Sequence, residues 1–277
     1  MRKTKLPSGE EVPVLGLGTW GFGENPARRQ DEIDALRCGI DIGMTLVDTA
    51  EMYGDGAAET VIGKAIEGRR EQTFMVDKVL PHNATRKGTV AACENSLRRL
   101  GTDRIDLFLL HWRGVVALAE TLAGFNDLLR AGKIRYWGVS NFDVADMEEA
   151  VGLAGGSALA SDQVLYNLIR RGIEYDLMPF CEQSNIPIMA YSPLEQGRLL
   201  EEPELQRIAD AHSATPAQVA LAWVLRKEGL IAVPKASTRG HVEQNRIALD
   251  IHLTRNELAA LDRAFPPPAH AVPLQMI

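Results

Sequence analysis

Eight short apolar runs, most of them followed by a stretch with helical spacing, constrain this chain more than any other feature. The runs are VLGLG (14–18), TLVDT (45–49), FMVDK (74–78), IDLFLLH (105–111), YWGVS (136–140), LASDQV (159–164), PIMAYS (187–192) and IAVPK (231–235). Between them apolar residues recur three or four apart, as in Ile33, Leu36 and Ile40, then Val61, Ile62, Ala65 and Ile66. Val90, Cys93 and Leu97, then Leu118, Leu122, Phe125 and Leu129, continue the pattern. Such spacing lays an apolar stripe along one helix face. Nearly all-apolar strands belong in a parallel sheet covered by helices, and eight βα units in about 250 residues fit a closed (β/α)8 barrel of the TIM type. The rival is a doubly wound open sheet. Against it, no GxGxxG opens a helix after the first strand: the glycines there are Gly16, Gly18, Gly21 and Gly23, and helical spacing starts only near residue 29.

Upstream of the first barrel strand, KLPSGEEVPV carries a Pro-Ser-Gly turn and predicts a short N-terminal β-hairpin outside the barrel. Three prolines at 266–268 stop the last helix and leave a short tail. Neither a linker nor a low-complexity segment interrupts the chain, so a single domain over 1–277 is expected.

The chain has 277 residues and is 45% hydrophobic, enough to bury a large core. Its formal net charge of −7 works against non-specific attraction to nucleic acid or anionic membranes. The start, MRKTKLPSGE, lacks the apolar stretch of a signal peptide, and no 18 apolar residues run together. Cys38, Cys93 and Cys181 are odd in number, far apart and without metal-ligand spacing, which suits reduced structural thiols in a cytoplasmic protein. The six histidines include no HExxH pair, and no metal is expected.

In a barrel of this kind chemistry belongs to the C-terminal ends of the strands. Read in order, those ends carry Asp48 and Tyr53, Lys78, His111, Ser140 and Asn141, Gln163, Tyr191 and Lys235. Singly, each has an ordinary explanation: Asp48 as a helix cap, Tyr53 as a half-buried aromatic, Lys78 as a surface ion-pair partner, His111 as a satisfied core histidine. Their common position on one rim is harder to explain that way.

With these residues in place, the sequence resembles the aldo-keto reductases. The resemblance rests on GxxxVDTAxxYG at 43–54, the lysine ending the third strand, LLHW at 109–112, GVSNF at 138–142, AYSPL at 190–194 and VPKAS at 233–237, and it extends from about residue 10 to 265. It is similar in particular to bacterial small-aldehyde and methylglyoxal reductases. The resemblance implies a catalytic tetrad of Asp48, Tyr53, Lys78 and His111. A carbonyl that accepts hydride develops negative charge on oxygen, so it needs a proton donor. Tyr53 is the implied general acid, with Lys78 expected to lower the phenol pKa of about 10, Asp48 to compensate Lys78, and His111 to orient the carbonyl oxygen. The hydride must come from a cofactor.

For that cofactor the resemblance implies NADP(H), with NAD(H) as a second possibility. Ser140, Asn141 and Gln163 match carboxamide-holding positions and Tyr191 the stacking aromatic. Gly18, Thr19, Trp20 and Asp48 on one side, and Ser192, Pro193, Leu194, Gln196 and Gly197 on the other, match further cofactor positions. Lys235, Ala236, Ser237 and Thr238 precede a helix expected from about Arg239, a natural seat for phosphate. Gln244 and Asn245 match adenine contacts. His241 stands where many members carry an arginine against the 2′-phosphate, which weakens the NADP preference; Lys235 remains, and Arg239 is a candidate substitute. Asp77, where a small hydroxyl residue is usual, points by strand alternation toward the helix layer and has no assigned function. Arg113 reads either as an attractor of anionic substrates or as a solvated loop charge.

Trp20, Phe22, Met52, Tyr53 and Trp112 fall on loops at the mouth, and Trp20, Tyr53, His111 and Trp112 form the expected substrate pocket. Short lids suggest small aldehydes, ketoaldehydes or sugars as carbonyl substrates, acted on by a monomer. Two alternatives stand beside reduction: a cofactor-binding sensor or scaffold working through a partner, and an alcohol or sugar dehydrogenase running in the oxidative direction.

Overall fold

The computed structural model describes residues 1–277. Its main sheet has eight parallel strands, paired in chain order: β3 (Leu17–Gly18), β4 (Leu46–Asp48), β5 (Phe74–Val79), β6 (Ile105–Leu110), β7 (Ile134–Ser140), β8 (Leu159–Leu165), β9 (Ile188–Tyr191) and β10 (Leu230–Ala232). The ends meet. Gly16 N–H donates to Ala232 O at 2.8 Å, Ala232 N–H to Val14 O at 2.8 Å, and Gly18 N–H to Pro234 O at 3.0 Å, which closes the sheet into the expected (β/α)8 barrel. Residues 14–16 therefore bond mainly to the last strand, and only Leu17 and Gly18 pair regularly with β4. Closure requires glycine at 18, because a Cβ there would lie 2.5 Å from Val233 O.

Helices α1 (Arg29–Asp41), α2 (Ala57–Ala65), α3 (Arg86–Leu100), α4 (Leu118–Arg130), α5 (Val144–Gly152) and α6 (Leu177–Gln183) each follow a barrel strand. Two helices, α7 (Pro203–Ala211) and α8 (Pro216–Val224), fill the crossover between β9 and β10. Then come α9 (Arg239–Ile247) and α10 (Arg255–Ala264). Their starts follow local chemistry. Thr85, Asp143, Thr215, Thr238 and Thr254 cap α3, α5, α8, α9 and α10 with side-chain oxygens, and the caps at Thr215 and Thr254 are full capping boxes.

The hairpin, β1 (Lys3–Lys5) with β2 (Glu11–Pro13), forms its own antiparallel sheet. It is more than an appendage. Leu6 and Val12 join Leu46, Phe74, Val76, Leu107, Leu109, Met189, Ile231 and Val233 in a buried cluster inside the barrel, so the hairpin plugs one end. Strand alternation carries the same inward-facing rows upward: Leu46 leads to Asp48, Val76 to Lys78, Leu109 to His111, Met189 to Tyr191 and Val233 to Lys235. Apolar residues fill the lower layers, and polar residues crown the opposite end.

Candidate active site

At that crown the rim residues converge. Lys78 is fully buried at the end of β5, with Nζ 2.8 Å from Asp48 Oδ1, 2.7 Å from Thr49 O and 3.3 Å from the Tyr53 hydroxyl. Tyr53 begins the turn after β4, and its ring meets His111 edge-on with centroids 6.0 Å apart. Four side chains spread over 64 positions, from 48 to 111, thus share one point. Thr19 braces this corner, donating through both Oγ1 (2.8 Å) and N–H (3.1 Å) to Asp48 O.

Burial opposes the Lys78 ammonium, but Asp48 and then Tyr53 outweigh it, and lysine stays charged with its pKa above the ordinary value. Burial also pushes the Tyr53 phenol above its ordinary value; Lys78 pulls it down and Asp48 pushes it up again. Lys78 thus lowers this pKa as expected, but desolvation of the phenolate is the larger effect and Asp48 offsets part of the ammonium's field, so the net shift is upward. Tyr53 is a fully loaded proton donor at neutral pH. Burial first, and the charge of Lys78 second, drive the His111 imidazole down to about 2, so it is neutral. Its Nδ1 is enclosed without a partner, leaving the other nitrogen for a ligand.

A second polar group continues around the rim. Gln163 Nε2 reaches Asp48 Oδ1 at 2.7 Å, and Ser140 Oγ donates to Gln163 O at 2.8 Å. Asn141, in the left-handed region at φ 59°, donates through Nδ2 to His111 O and Ser140 Oγ, each at 3.1 Å. Tyr191 Oη donates to Asn141 Oδ1 at 2.9 Å. Ser140, Asn141, Gln163 and Tyr191 are thus tied to the tetrad by hydrogen bonds.

Beyond β9 the loop takes an unusual path: Ser192, Glu195 and Gln196 have φ of 46°, 46° and 55°, and Gly197 has φ of 91°. Pro193 is buried, while Leu194 packs partly against the core. The loop is held by residues the sequence did not single out. Asn167 Nδ2 donates to Ser192 O (2.9 Å) and Glu195 Oε2 (2.8 Å), and Arg170 grips Glu195 Oε1 through two nitrogens at 2.8 and 3.0 Å. After β10, Lys235 is exposed and Ala236 and Ser237 are buried; Thr238 caps α9 by accepting from His241 N–H. Asn245 is buried, whereas Gln244 is exposed.

Trp20 is 56% exposed at the mouth, and Trp112 packs on His111 with ring centroids 4.8 Å apart. Phe22 is fully buried in the core and leaves the pocket. Gly18 sits inside the barrel closure, with its N–H already used by Pro234 O. Arg113 is neither a free attractor nor a solvated charge, since it pairs with Glu149 at 2.7 Å and Asp146 at 3.8 Å on α5. The tail does not simply trail off. Val272 lies against Gly172 and Leu274 packs on the core, so the tail folds back along the loops after β7 and β8.

Asp77 also acquires an account. Its side chain is buried in the helix layer, with Oδ1 accepting from Lys78 N–H at 2.8 Å. Burial and then the neighbouring Glu59, itself ion-paired to Arg99, hold its carboxyl well above the ordinary range and so favour its protonated form. All three cysteines are buried and unpaired, and no helix is long and apolar enough to cross a membrane.

A (β/α)8 barrel that gathers a phenol, an ammonium, a carboxylate and a neutral imidazole at the C-terminal ends of its strands defines an enzyme of the rim-site type. Residues 14–265 match the family model described as "Aldo/keto reductase family". The chain belongs to the aldo/keto reductase family. It is 52% identical over 271 residues to the methylglyoxal reductase YeaE of Escherichia coli, spanning 96% of this chain and 95% of that protein. It is 32% identical over 258 residues to a glyoxal reductase of Bacillus subtilis, spanning 93% and 91%. Among solved structures, two of Klebsiella pneumoniae aldo-keto reductase are each 50% identical with a TM-score of 0.97. One, with NADP and acetate, spans 99% of both chains, and the other, with NADPH, spans 100% of both.

Proposed function

We propose that this protein is an NADPH-dependent oxidoreductase that reduces small aldehydes and ketoaldehydes, with methylglyoxal as the leading substrate, to the corresponding alcohols. The observation that carries the reading is the buried ammonium of Lys78, within 3.3 Å of the Tyr53 hydroxyl and 2.8 Å of Asp48. A buried, paired lysine beside a phenol at the catalytic rim of a barrel is the kind of costly charge that functional sites retain. The relatives named for methylglyoxal and glyoxal reduction, and the neighbour bound to NADPH, support the substrate and cofactor.

The residues present suit a nicotinamide dinucleotide. Ser140, Asn141 and Gln163 offer a hydroxyl and two amides for a carboxamide, and Tyr191 offers an aromatic face. Thr238 opens α9, whose first turn contains no acid, next to Lys235 and Arg239, which suits phosphate. The bound cofactor supplies the hydride. Tyr53 then gives its Oη proton to the carbonyl oxygen, because the alkoxide left by hydride addition is far more basic than a phenolate. Lys78 stabilises the phenolate that remains, Asp48 keeps Lys78 charged at depth, and neutral His111 donates a hydrogen bond that fixes the carbonyl. Trp20 and Trp112 give the pocket apolar walls.

Three buried free thiols support residence in the reducing cytoplasm, and monomer is the oligomeric state we infer. The purified chain, assayed alone with methylglyoxal, other aldehydes, ketones and sugars, should oxidise NADPH steadily as followed by absorbance. Turnover that appears only with a partner present would favour a sensor or scaffold, and turnover confined to alcohols would favour a dehydrogenase.

A further inference from the structure

The loop after β10 carries a cation that its own sequence does not supply. Arg28 lies 209 residues away in the chain, yet its Nη2 donates to Ser237 Oγ at 3.1 Å. The contact follows from the architecture. Helices α1 and α9 pack side by side, and both start at the same rim of the barrel, so the residue just before α1 faces the loop just before α9. Arg28 is placed there by a short turn, Pro26–Arg28, with proline at its start and Asn25 Oδ1 accepting from Ala27 N–H.

Electrostatics makes this arrangement hard to read as packing. Cations are disfavoured at helix N-termini, where the macrodipole is positive. Here Arg28 precedes α1, whose first turn does carry Asp31 and Glu32, while Arg239 opens α9 with no acid in that helix's first turn, and Lys235 lies just before it. No carboxylate lies within 4.0 Å of Arg28, Lys235 or Arg239, in a chain with 37 acids to 30 bases. Arg28, in contact with Ser237, and the two basic residues that flank this serine in sequence, Lys235 and Arg239, are three like charges at one edge, an arrangement that favours a multiply charged anion. Ser237 accepts from Arg28, which leaves its own O–H to donate outward.

We infer that Arg28 is a specificity-determining residue for the cofactor: together with Lys235, Ser237 and Arg239 it binds the 2′-phosphate of NADPH, a monoester with a charge near −2 at neutral pH, and so takes the place of the arginine that His241 lacks. This rests on the reading of the protein as a nicotinamide-dependent reductase. A guanidinium matches phosphate through a planar fork, whereas a lysine offers a point charge. A bridging diphosphate is present in NADH as well, so a cation acting on it would not discriminate between the two cofactors.

The test is equilibrium binding of NADPH and NADH, by quenching of tryptophan fluorescence, to the full chain and to Arg28→Gln and Arg28→Lys. Arg28 is exposed, and unchanged NADH affinity reports an intact site in each variant. For Arg28→Gln the NADPH dissociation constant is expected to rise about tenfold or more, the loss of one charged hydrogen bond, with NADH changing less than about twofold. Arg28→Lys should recover part of the loss. Equal weakening of both cofactors would overturn the inference by placing Arg28 on the diphosphate, and an unchanged NADPH-to-NADH ratio would overturn it outright while the reductase reading stood. Failure of the unmodified chain to bind NADPH would overturn both.

Discussion

The tetrad shows how a charge survives burial. Lys78 is fully enclosed, and its ammonium is held by three oxygens, Asp48 Oδ1, Thr49 O and Tyr53 Oη. Removing one member of a buried pair strands the other, at roughly 3–5 kcal/mol. Lys78→Met should therefore lower stability by about that much in denaturant titrations, and Lys78→Met with Asp48→Asn by clearly less; equal losses would mean the pair is not coupled. His111, driven down to about 2, is neutral throughout the working range, so kcat against pH should show no inflection near 6.5 between pH 5 and 8. Asp77 gives a second pH signature. Its folded pKa lies well above the unfolded value of about 3.9, so ionisation favours the unfolded chain, and stability falls as pH rises from about 4 toward the folded pKa. Asp77→Asn removes that loss. Its gain in Tm over the unmodified chain should be larger at pH 8 than at pH 5, and the reverse order would contradict an upward-shifted Asp77. The residue types at the rim were legible in sequence because each interrupts an apolar run. The direction of the Tyr53 shift was not, since it depends on how far Asp48 offsets Lys78.

At the scale of elements, strand and helix positions followed from periodicity, and the loops did not. The barrel strands were found within a few residues, and α9 begins at Arg239, where a helix was expected. The strained loop after β9 was hidden, because Ser192, Glu195 and Gln196 are not residue types that announce positive φ, and each costs roughly 1–2 kcal/mol there. What stabilises it is long-range: Asn167 and Arg170 arrive from the preceding βα loop. Arg28 was hidden for the same reason, since only the adjacency of α1 and α9 brings it to Ser237. Gly18 is the element-scale test of closure. Gly18→Ala forces a methyl to within 2.5 Å of Val233 O, and overpacking of this kind costs about 1–3 kcal/mol. The variant should melt several degrees lower; an unchanged Tm would mean that the seam between β3 and β10 is loose.

Taken whole, the molecule divides its labour along the barrel axis. The hairpin and the apolar layers seal one end, and the inward rows that begin as Leu46, Val76 and Leu109 finish as Asp48, Lys78 and His111 at the other. Stability is thereby kept apart from chemistry, and an acidic chain presents a basic edge at Arg28, Lys235 and Arg239. The fold could be read from sequence because eight similar units repeat its grammar; the substrate could not, since the mouth is shaped by Trp20 and Trp112 on loops that no periodicity encodes. The central claim is that Tyr53 delivers the proton, and Tyr53→Phe tests it most directly, by comparing NADPH affinity with steady-state reduction of methylglyoxal. The account predicts NADPH binding within about twofold and kcat lower by about 10²–10⁴; turnover within a few-fold of the unmodified enzyme would contradict it.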